Sequence, residues 1–530
     1  MVVNAEVKNL ASKAVGPVNP ERTTRVFNAG LTIIDSQGNH RPYLAETAPQ
    51  LNTDTWQTFP DGRMETIWKL RPNLTWHDGQ PLTADDVVFA FQVYTAPALA
   101  AFEPKPQDRI EQIIAVDPRT VRIQWRSPYL DTGSGLEPLP RHRMAEAFAA
   151  FEQDPVGQRD AFLAQRFWTT EYVGAGPFRL TNWEPASFLE GVAFEGHALG
   201  KPKIERVVMR LINDENTAMA NILAGDVHMI TRNVIGFQHA MILRGEGFDG
   251  DRGKGTVALI STANVTAVPQ HRPDYQQTPA LHDVRVRKAI AHAIDKEAIN
   301  DGLLDGQGPI NYAAVPREAP YFADVDRAIT KYVYDPRRTE QYMAEAGYSK
   351  DRDGFFAGAN GERFQPAALW AAVGAQREQL LAIMVNTWQR AGIDVQPSVI
   401  PNAVAQDPEA NSAYPGIVVH GISGVESTTA QALASEQIGS PANRWQGGNR
   451  GGWSNPDYDR LWDRYNSTLD RPEQVQTFVQ MLKLQSELLP NMMIYSLLGV
   501  TTHTAALKGP EAGLVQTTSH WNMYDWELSS

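Results

Sequence analysis

In METIWKL, Met64, Thr66, Trp68 and Leu70 alternate with Glu65, Ile67 and Lys69, the period-two pattern of a strand with one buried face. His77-Asp78-Gly79 then supplies turn chemistry, and the alternation gives way to Val87, Phe91 and Tyr94 at helical spacing. Thr83, with Asp86 three residues on, predicts a capping box at the start of that helix, an Asp standing where Glu is usual.

Two later segments share one design, a helix stopped by glycine and followed by a short strand, which is the signature of α/β layering. In the first, Ala218, Ile222 and Leu223 form the apolar stripe, Gly225 the stop and residues 227–230 the strand. In the second, Leu380, Ile383, Met384 and Trp388 make the stripe, Gly392 the stop and residues 393–395 the strand. The run DVRVRKAIAHAIDKEAI predicts a helix from Asp283 with Val286, Ile290, Ala293 and Ile294 inward and Arg285, Arg287 and Lys288 on its exposed side. Asp335-Pro336 and Asn455-Pro456 each combine a capping residue with proline at the first helical position. Residues 265–279 and 401–452 are the least regular, and loops of that length usually bind something or move.

A chain of 530 residues exceeds what one hydrophobic core serves, so two or three lobes are expected. Hydrophobic residues at 42% and charged residues at 21% fit a packed soluble fold. No apolar run nears the roughly 18 residues of a membrane span; MMIYSLLGV is too short. The N-terminus lacks the basic head and apolar middle of a secretory leader, so Met1 reads as an added start on a trimmed chain. The chain has no cysteine, which rules out disulfides, thiolate nucleophiles and cysteine zinc sites and suits either redox compartment. A net charge of −13 argues against a nucleic-acid partner.

Catalytic motifs are incomplete. Asp131-Thr132-Gly133-Ser134 is a single copy of a turn that an aspartic protease needs twice, so a plain turn is expected. The segment SKDRDGFFAGANGE imitates a calcium loop but places Asn360 where the bidentate Glu belongs. His77, His282 and His420 stand alone, with no helical pair to hold zinc, and no metal or cofactor is expected. Neither a GxSxG elbow nor a GxxxxGK loop is present. Thirteen tryptophans stand out, with Trp445 and Trp453 flanking a loop that holds Asn443 and Asn449, a mix of aromatic plates and amides suited to a small polar ligand.

The strings YLAE, TIWKLRPNLTWHDGQPLTADDVVFAF, GAGPFRLTNWEP, DVRVRKAIAHAIDKEAI, AEAGY and WSNPDYDRLW, in this order, resemble the family 5 extracellular solute-binding proteins of ABC importers. That resemblance implies an α/β, bilobal periplasmic-binding-protein-like fold of type II, cluster C-like, in three subdomains with a ligand cleft between lobes. On this chain the first lobe would take residues 20–40, 174–262 and 491–530 as one subdomain and 41–173 as a second, and the other lobe 263–490. The implied role is a non-enzymatic receptor, periplasmic or cell-surface anchored, closing on a small polar solute and delivering it to a membrane ABC permease. A monomer is expected. In peptide receptors of the family, the segment equivalent to GIVVHGISGVESTT carries an aromatic and an aspartate that grips the peptide amino terminus; Ile422 and Val425 stand here, with Glu426 adjacent.

The expected ligand contacts are Trp445 and Trp370 by stacking, Asn264, Ser423 and Asn443 by hydrogen bonding, and Glu426 by pairing with a cation. A peptide or peptide-like ligand is the first reading and an oligosaccharide the second. A hydrolase, needing two facing acids, is the remote third.

Overall fold

Met64, Thr66 and Trp68 are buried in the strand Met64–Lys69, and Leu70 continues the same buried face. The computed structural model describes all residues except 5, 11–23, 100–105, 251–252, 372–373, 402–403, 405–406, 444, 446 and 530. The chain forms two units, Met1–Ile260 with Gly499–Ser530, and Ser261–Leu498. It passes from one to the other within the strands Gly255–Pro269 and Met492–Thr504.

In the first unit, Met64–Lys69 pairs antiparallel with Trp56–Thr58 and Thr120–Trp125, and the latter with Ile110–Asp117. Trp68, Val121, Ile123 and Trp125 are at most 1% exposed, and each side chain of that size contributes about 2–3 kcal/mol through burial. On that face Thr66 Oγ1 accepts a hydrogen bond from Trp125 Nε1 at 2.9 Å, while Trp68 Nε1 is buried without a partner. A second sheet sets Val2–Val3 between the parallel strands Arg206–Leu211 and Met229–Ile230.

Asp86 ties three local pieces together. The expected capping box opens the helix Ala84–Thr95. The Asp86 carboxylate accepts from the backbone N–H of Thr83 at 2.9 Å, from that of Arg141 at 2.9 Å and from Trp76 Nε1 at 3.3 Å. It therefore joins the cap to the preceding turn and to the start of the helix Arg141–Gln153.

The second unit contains a βαβ crossover. Strands Ala367–Ala371 and Gln396–Ile400 pair in parallel and are joined by the helix Gly374–Ala391. Ile417–Ser423 lies on the other side of Ala367–Ala371 and runs antiparallel to Gly255–Pro269, from Ala263 opposite Ser423 to Pro269 opposite Ile417.

Several sequence expectations need correction. Ala218 and Ile222 are buried in the helix Glu215–Ala224, but Leu223 is 40% exposed, and the following strand is the shorter Met229–Ile230. The strand after Gly392 begins at Gln396, because the Ile393 amide closes the helix on the Trp388 carbonyl at 2.9 Å and the Val395 amide turns back to Ile393 at 3.0 Å. Residues 265–269, expected to be irregular, belong to a strand.

The single helix expected from Asp283 is two, Val284–His292 and Lys296–Leu304, because the Asp295 side chain caps a fresh start on the Ala298 amide at 2.9 Å. The inward stripe of Val286, Ile290, Ala293 and Ile294 is nonetheless buried as read. Arg287 is 5% exposed, not outward, and its guanidinium donates to the carbonyls of Leu281, His282 and Leu488.

Lys296 is 8% exposed and has no carboxylate partner among the described residues. Its ammonium donates to the carbonyls of Met493 and Ile494 and lies 5.6 Å from the Tyr312 ring centroid. It borders a cavity of about 30 Å³, where Thr266 Oγ1 and Gln485 Oε1 also lack partners. Burial lowers its pKa from 10.5 to about 7.

Two outcomes follow from these buried charges. Asp86→Ala should cost about 3 kcal/mol in urea unfolding by stranding three donors, whereas the exposed Asp85→Ala should stay within about 0.5 kcal/mol; equal effects would refute the tie. For Lys296 the folded pKa is the lower one, so as pH falls the unfolded chain binds the proton first and stability is lost between about pH 10 and pH 7. Urea melts at pH 9.5 and pH 7 should show a stability difference that shrinks by more than about 1 kcal/mol in Lys296→Met. An unchanged difference would mean that Lys296 does not titrate in this window.

Candidate functional site

In the second unit the chain turns out of the strand Gly255–Pro269 into Arg272, whose guanidinium organises the segment from Ser412 to Gly452. Its Nε donates to Gln270 Oε1 at 3.1 Å, Nη1 to the Gly439 carbonyl at 2.7 Å, and Nη2 to the carbonyls of Ser412 and Arg450. Its charge also lies 5.3 Å from the Tyr275 ring and 5.8 Å from the Trp445 ring, which meet edge-on at 6.0 Å. Gly452 has φ +69°, and a Cβ there would meet Arg272 Cγ at 2.5 Å, so the arginine stem can pass over this position because it is glycine.

The clamp leaves two other arginines uncommitted. Arg450 contributes its carbonyl to Arg272, but its own guanidinium has no hydrogen bond or ion pair among the described residues. The same holds for Arg377, in the first turns of the helix Gly374–Ala391. Both lie close enough to His420, on the strand Ile417–Ser423, to repel its protonated form, and with burial as the larger cause they lower its pKa to about 3. His420 is therefore neutral at physiological pH. Its Nδ1 donates to the Gly421 carbonyl at 2.9 Å. Arg377 also neighbours Tyr495, which is 4% exposed with an unpartnered hydroxyl, and burial raises that phenol to about 12.

The expected contact residues divide among several structural settings. Asn264 is 1% exposed, and its Oδ1 accepts from Ser496 Oγ at 3.0 Å; Ser496 in turn accepts from Asn311 Nδ2 at 2.9 Å. Ser423 Oγ accepts the Val425 amide at 3.1 Å, just ahead of the short helix Glu426–Gln431. Glu426 is held within the unit by Arg471, with Nη1 at 2.7 Å and Nη2 at 2.5 Å, and by the Tyr465 hydroxyl at 2.9 Å. A free charge for a ligand cation is not what the structure provides at Glu426.

Asn443 shapes its own loop, its Oδ1 taking the Ser440 amide and its Nδ2 donating to the Ile438 carbonyl. Trp445, in the left-handed region at φ +60°, is half-buried in the same loop, on the arginine clamp. Trp370 lies in the strand Ala367–Ala371, with its side chain outside the described residues. Trp453 and Asn449, which flank or sit in that loop, are core: Trp453 packs on Tyr458, and Asn449 Nδ2 binds the carbonyls of Leu433, Ala434 and Trp453. Arg272, Arg377, Arg450 and Tyr495 escaped the sequence reading. The one signal was RWQGGNRGGW, where arginine and glycine sit together.

The first unit has its own set of unsatisfied polar groups. His520 is fully buried with neither ring nitrogen partnered, and Thr518 Oγ1 and Trp521 Nε1 are likewise without partners. Burial lowers His520 to about 3, aided by Arg25 and Arg232 nearby. Among the described residues no group of three or more acid, histidine or cysteine side chains could hold a metal. The Asp131 turn and the Asp351 turn are solvated: Asp131 meets His40 at 2.8 Å, and Asp351 is held by Arg363 at 2.6 Å.

A family profile described as bacterial extracellular solute-binding proteins, family 5 Middle, matches residues 46–440. The oligopeptide-binding protein AppA of Bacillus subtilis is 23% identical over 379 residues, which are 70% of this chain and 63% of that relative's length. Among solved structures, NikZ from Campylobacter jejuni in complex with Ni(L-His) aligns at TM-score 0.74 and 19% identity, covering 99% of this chain and 98% of that one. The oligopeptide-binding protein from Thermus thermophilus, complexed with a pentapeptide, aligns at TM-score 0.70 and 21% identity, covering 95% and 91%. These structural likenesses establish a common fold.

Removing the clamp should loosen the loop it holds. Arg272→Met is expected to destabilise the second unit by at least about 2 kcal/mol and to speed amide exchange across residues 437–452, read by hydrogen exchange with mass spectrometry. Exchange in that loop at the native rate would show that the arginine does not organise it.

Proposed function

The chain belongs to the bacterial extracellular solute-binding proteins of family 5, and from that membership we propose that it is the receptor of an ABC importer, capturing a small peptide or peptide-like solute. The observation that carries this reading is the family match across residues 46–440. Members of this family are solute-binding proteins rather than enzymes, and they are periplasmic or surface-exposed. No helix among the described residues is long and apolar enough to cross a membrane, which agrees with a receptor that hands its cargo to a separate permease. The relatives named above bind oligopeptides or a nickel–histidine complex, so the oligosaccharide reading has no support among them.

Mechanistically, a receptor of this kind needs contacts that favour a ligand-bound state over a free one, and no group that breaks bonds. The second unit supplies suitable groups: the Trp445 ring held on Arg272, the uncommitted Arg377 and Arg450, and the Tyr495 hydroxyl. The ligand-bound state would then be the one that docks on the permease. Asn264, Ser423 and Asn443 are proposed as the structural surround of these contacts, and Trp445 as the stacking residue.

A differential-scanning fluorimetry screen of the purified protein against di- to pentapeptides and oligosaccharides tests this. A peptide at 100 times its Kd should stabilise the native state by about 2.7 kcal/mol, while sugars leave the melting temperature unchanged. Stabilisation by sugars alone, or cleavage of the added peptide, would sink the proposal.

A further inference from the structure

We infer that the cavity bordered by Lys296 in the second unit is a binding site for a small monovalent inorganic anion, of the size of chloride, held by the Lys296 ammonium and the Thr266 hydroxyl. The site is separate from the solute contacts proposed above, since none of Trp445, Arg272, Arg377 and Arg450 lines it. It goes beyond the solute reading and does not depend on it.

Charge is the first argument. Lys296 is 8% exposed, and its hydrogen-bond partners among the described residues are the carbonyls of Met493 and Ile494. These dipoles engage two of the three N–H groups of the ammonium but supply no counter-charge, and a buried cation without one is costly. The walls offer none either. No described residue lining the cavity is acidic, and the two that titrate besides Lys296, Tyr312 and Tyr332, are phenols that burial holds above their ordinary value. Burial alone shifts Lys296, with no charged group acting on it. Water placed here would satisfy hydrogen bonds and leave the charge uncompensated; an anion does both.

Donors and size define the anion. Thr266 is 1% exposed, and its hydroxyl, which has no partner, is a second donor facing the same class of ligand. From the helix Arg471–Leu488, Gln485 brings an unpartnered Oε1, which needs a donor. A volume of about 30 Å³ takes one or two water-sized bodies. Chloride on Lys296 and Thr266, with one water donating to Gln485 Oε1, fills it, whereas an organic acid as large as gluconate does not fit.

Position gives the binding a consequence. Thr266 belongs to the strand Gly255–Pro269, and Met493 and Ile494 to Met492–Thr504, the two strands along which the chain passes between its units. An anion on Lys296 and Thr266 fastens both strands to the start of the helix Lys296–Leu304.

Urea melts of the full chain at constant ionic strength, with chloride replacing gluconate up to about ten times its half-maximal concentration, test the inference. At pH 7 the folding constant should rise about tenfold and saturate. At pH 9.5, where Lys296 is neutral, it should change less than about twofold. Lys296→Met should abolish the response at both pH values. Thr266→Val removes only an unpartnered hydroxyl, so it should be as stable as the parent in gluconate and lose at least about threefold of the chloride response. That variant decides the matter if Lys296→Met does not fold. Crystals grown in bromide should show an anomalous difference peak beside Lys296 Nζ. Equal melts in chloride and gluconate at pH 7, a chloride response that survives both substitutions, or bromide seated only elsewhere overturns the inference and leaves the solute reading untouched.

Discussion

A partly buried guanidinium must have its donors satisfied, and at Arg272 that requirement organises the candidate site. Its coplanar N–H groups make four hydrogen bonds, to Gln270 Oε1 beside it in sequence and to the carbonyls of Gly439, Ser412 and Arg450, which lie 140 to 178 residues away. Because the donors are coplanar, those three stretches are held in one mutual arrangement, and Trp445 and Tyr275 then fit around the same cation. The loop is irregular in secondary structure but not in bonding. Its carbonyls are paired with a side chain in place of a ladder.

The charges around this clamp divide unequally between committed and free. Glu426 is fully engaged by Arg471 and Tyr465, and Arg272 by carbonyls, so the uncompensated groups near His420 are cationic. At the strand end Val425 leads into the short helix, and the nearest acid, Glu426, is kept inside an ion pair.

Local codes were readable from the sequence; distant pairings were not. The Thr83–Asp86 box, the prolines after Asp335 and Asn455, and the glycine stop at Gly392 all depend on neighbours within a few residues, and each sits where the sequence put it. The break at Asp295 escaped because the apolar stripe runs through it, with Ala293 and Ile294 both buried, and periodicity does not register a cap in mid-pattern. Arg287 looked like a surface cation because the Leu488 carbonyl that receives it is 201 residues away. The site was legible as an aromatic, glycine-rich loop around Trp445. Its charge was not, since whether an arginine is committed or free depends on carbonyls and carboxylates that meet it only in the folded chain.

Asp86 has a consequence for how such a chain matures. Its partners Trp76, Thr83 and Arg141 all lie within one stretch of the N-terminal third, and none of its bonds waits for residues beyond Arg141. A polypeptide threaded N-terminus first through a membrane channel can complete this polar knot while the strand Met492–Thr504, which closes the first unit's sheet against Met229–Ile230, has yet to emerge. The part whose bonds need only the first 141 residues and the strand that completes the unit's sheet are thus at opposite ends of the same chain.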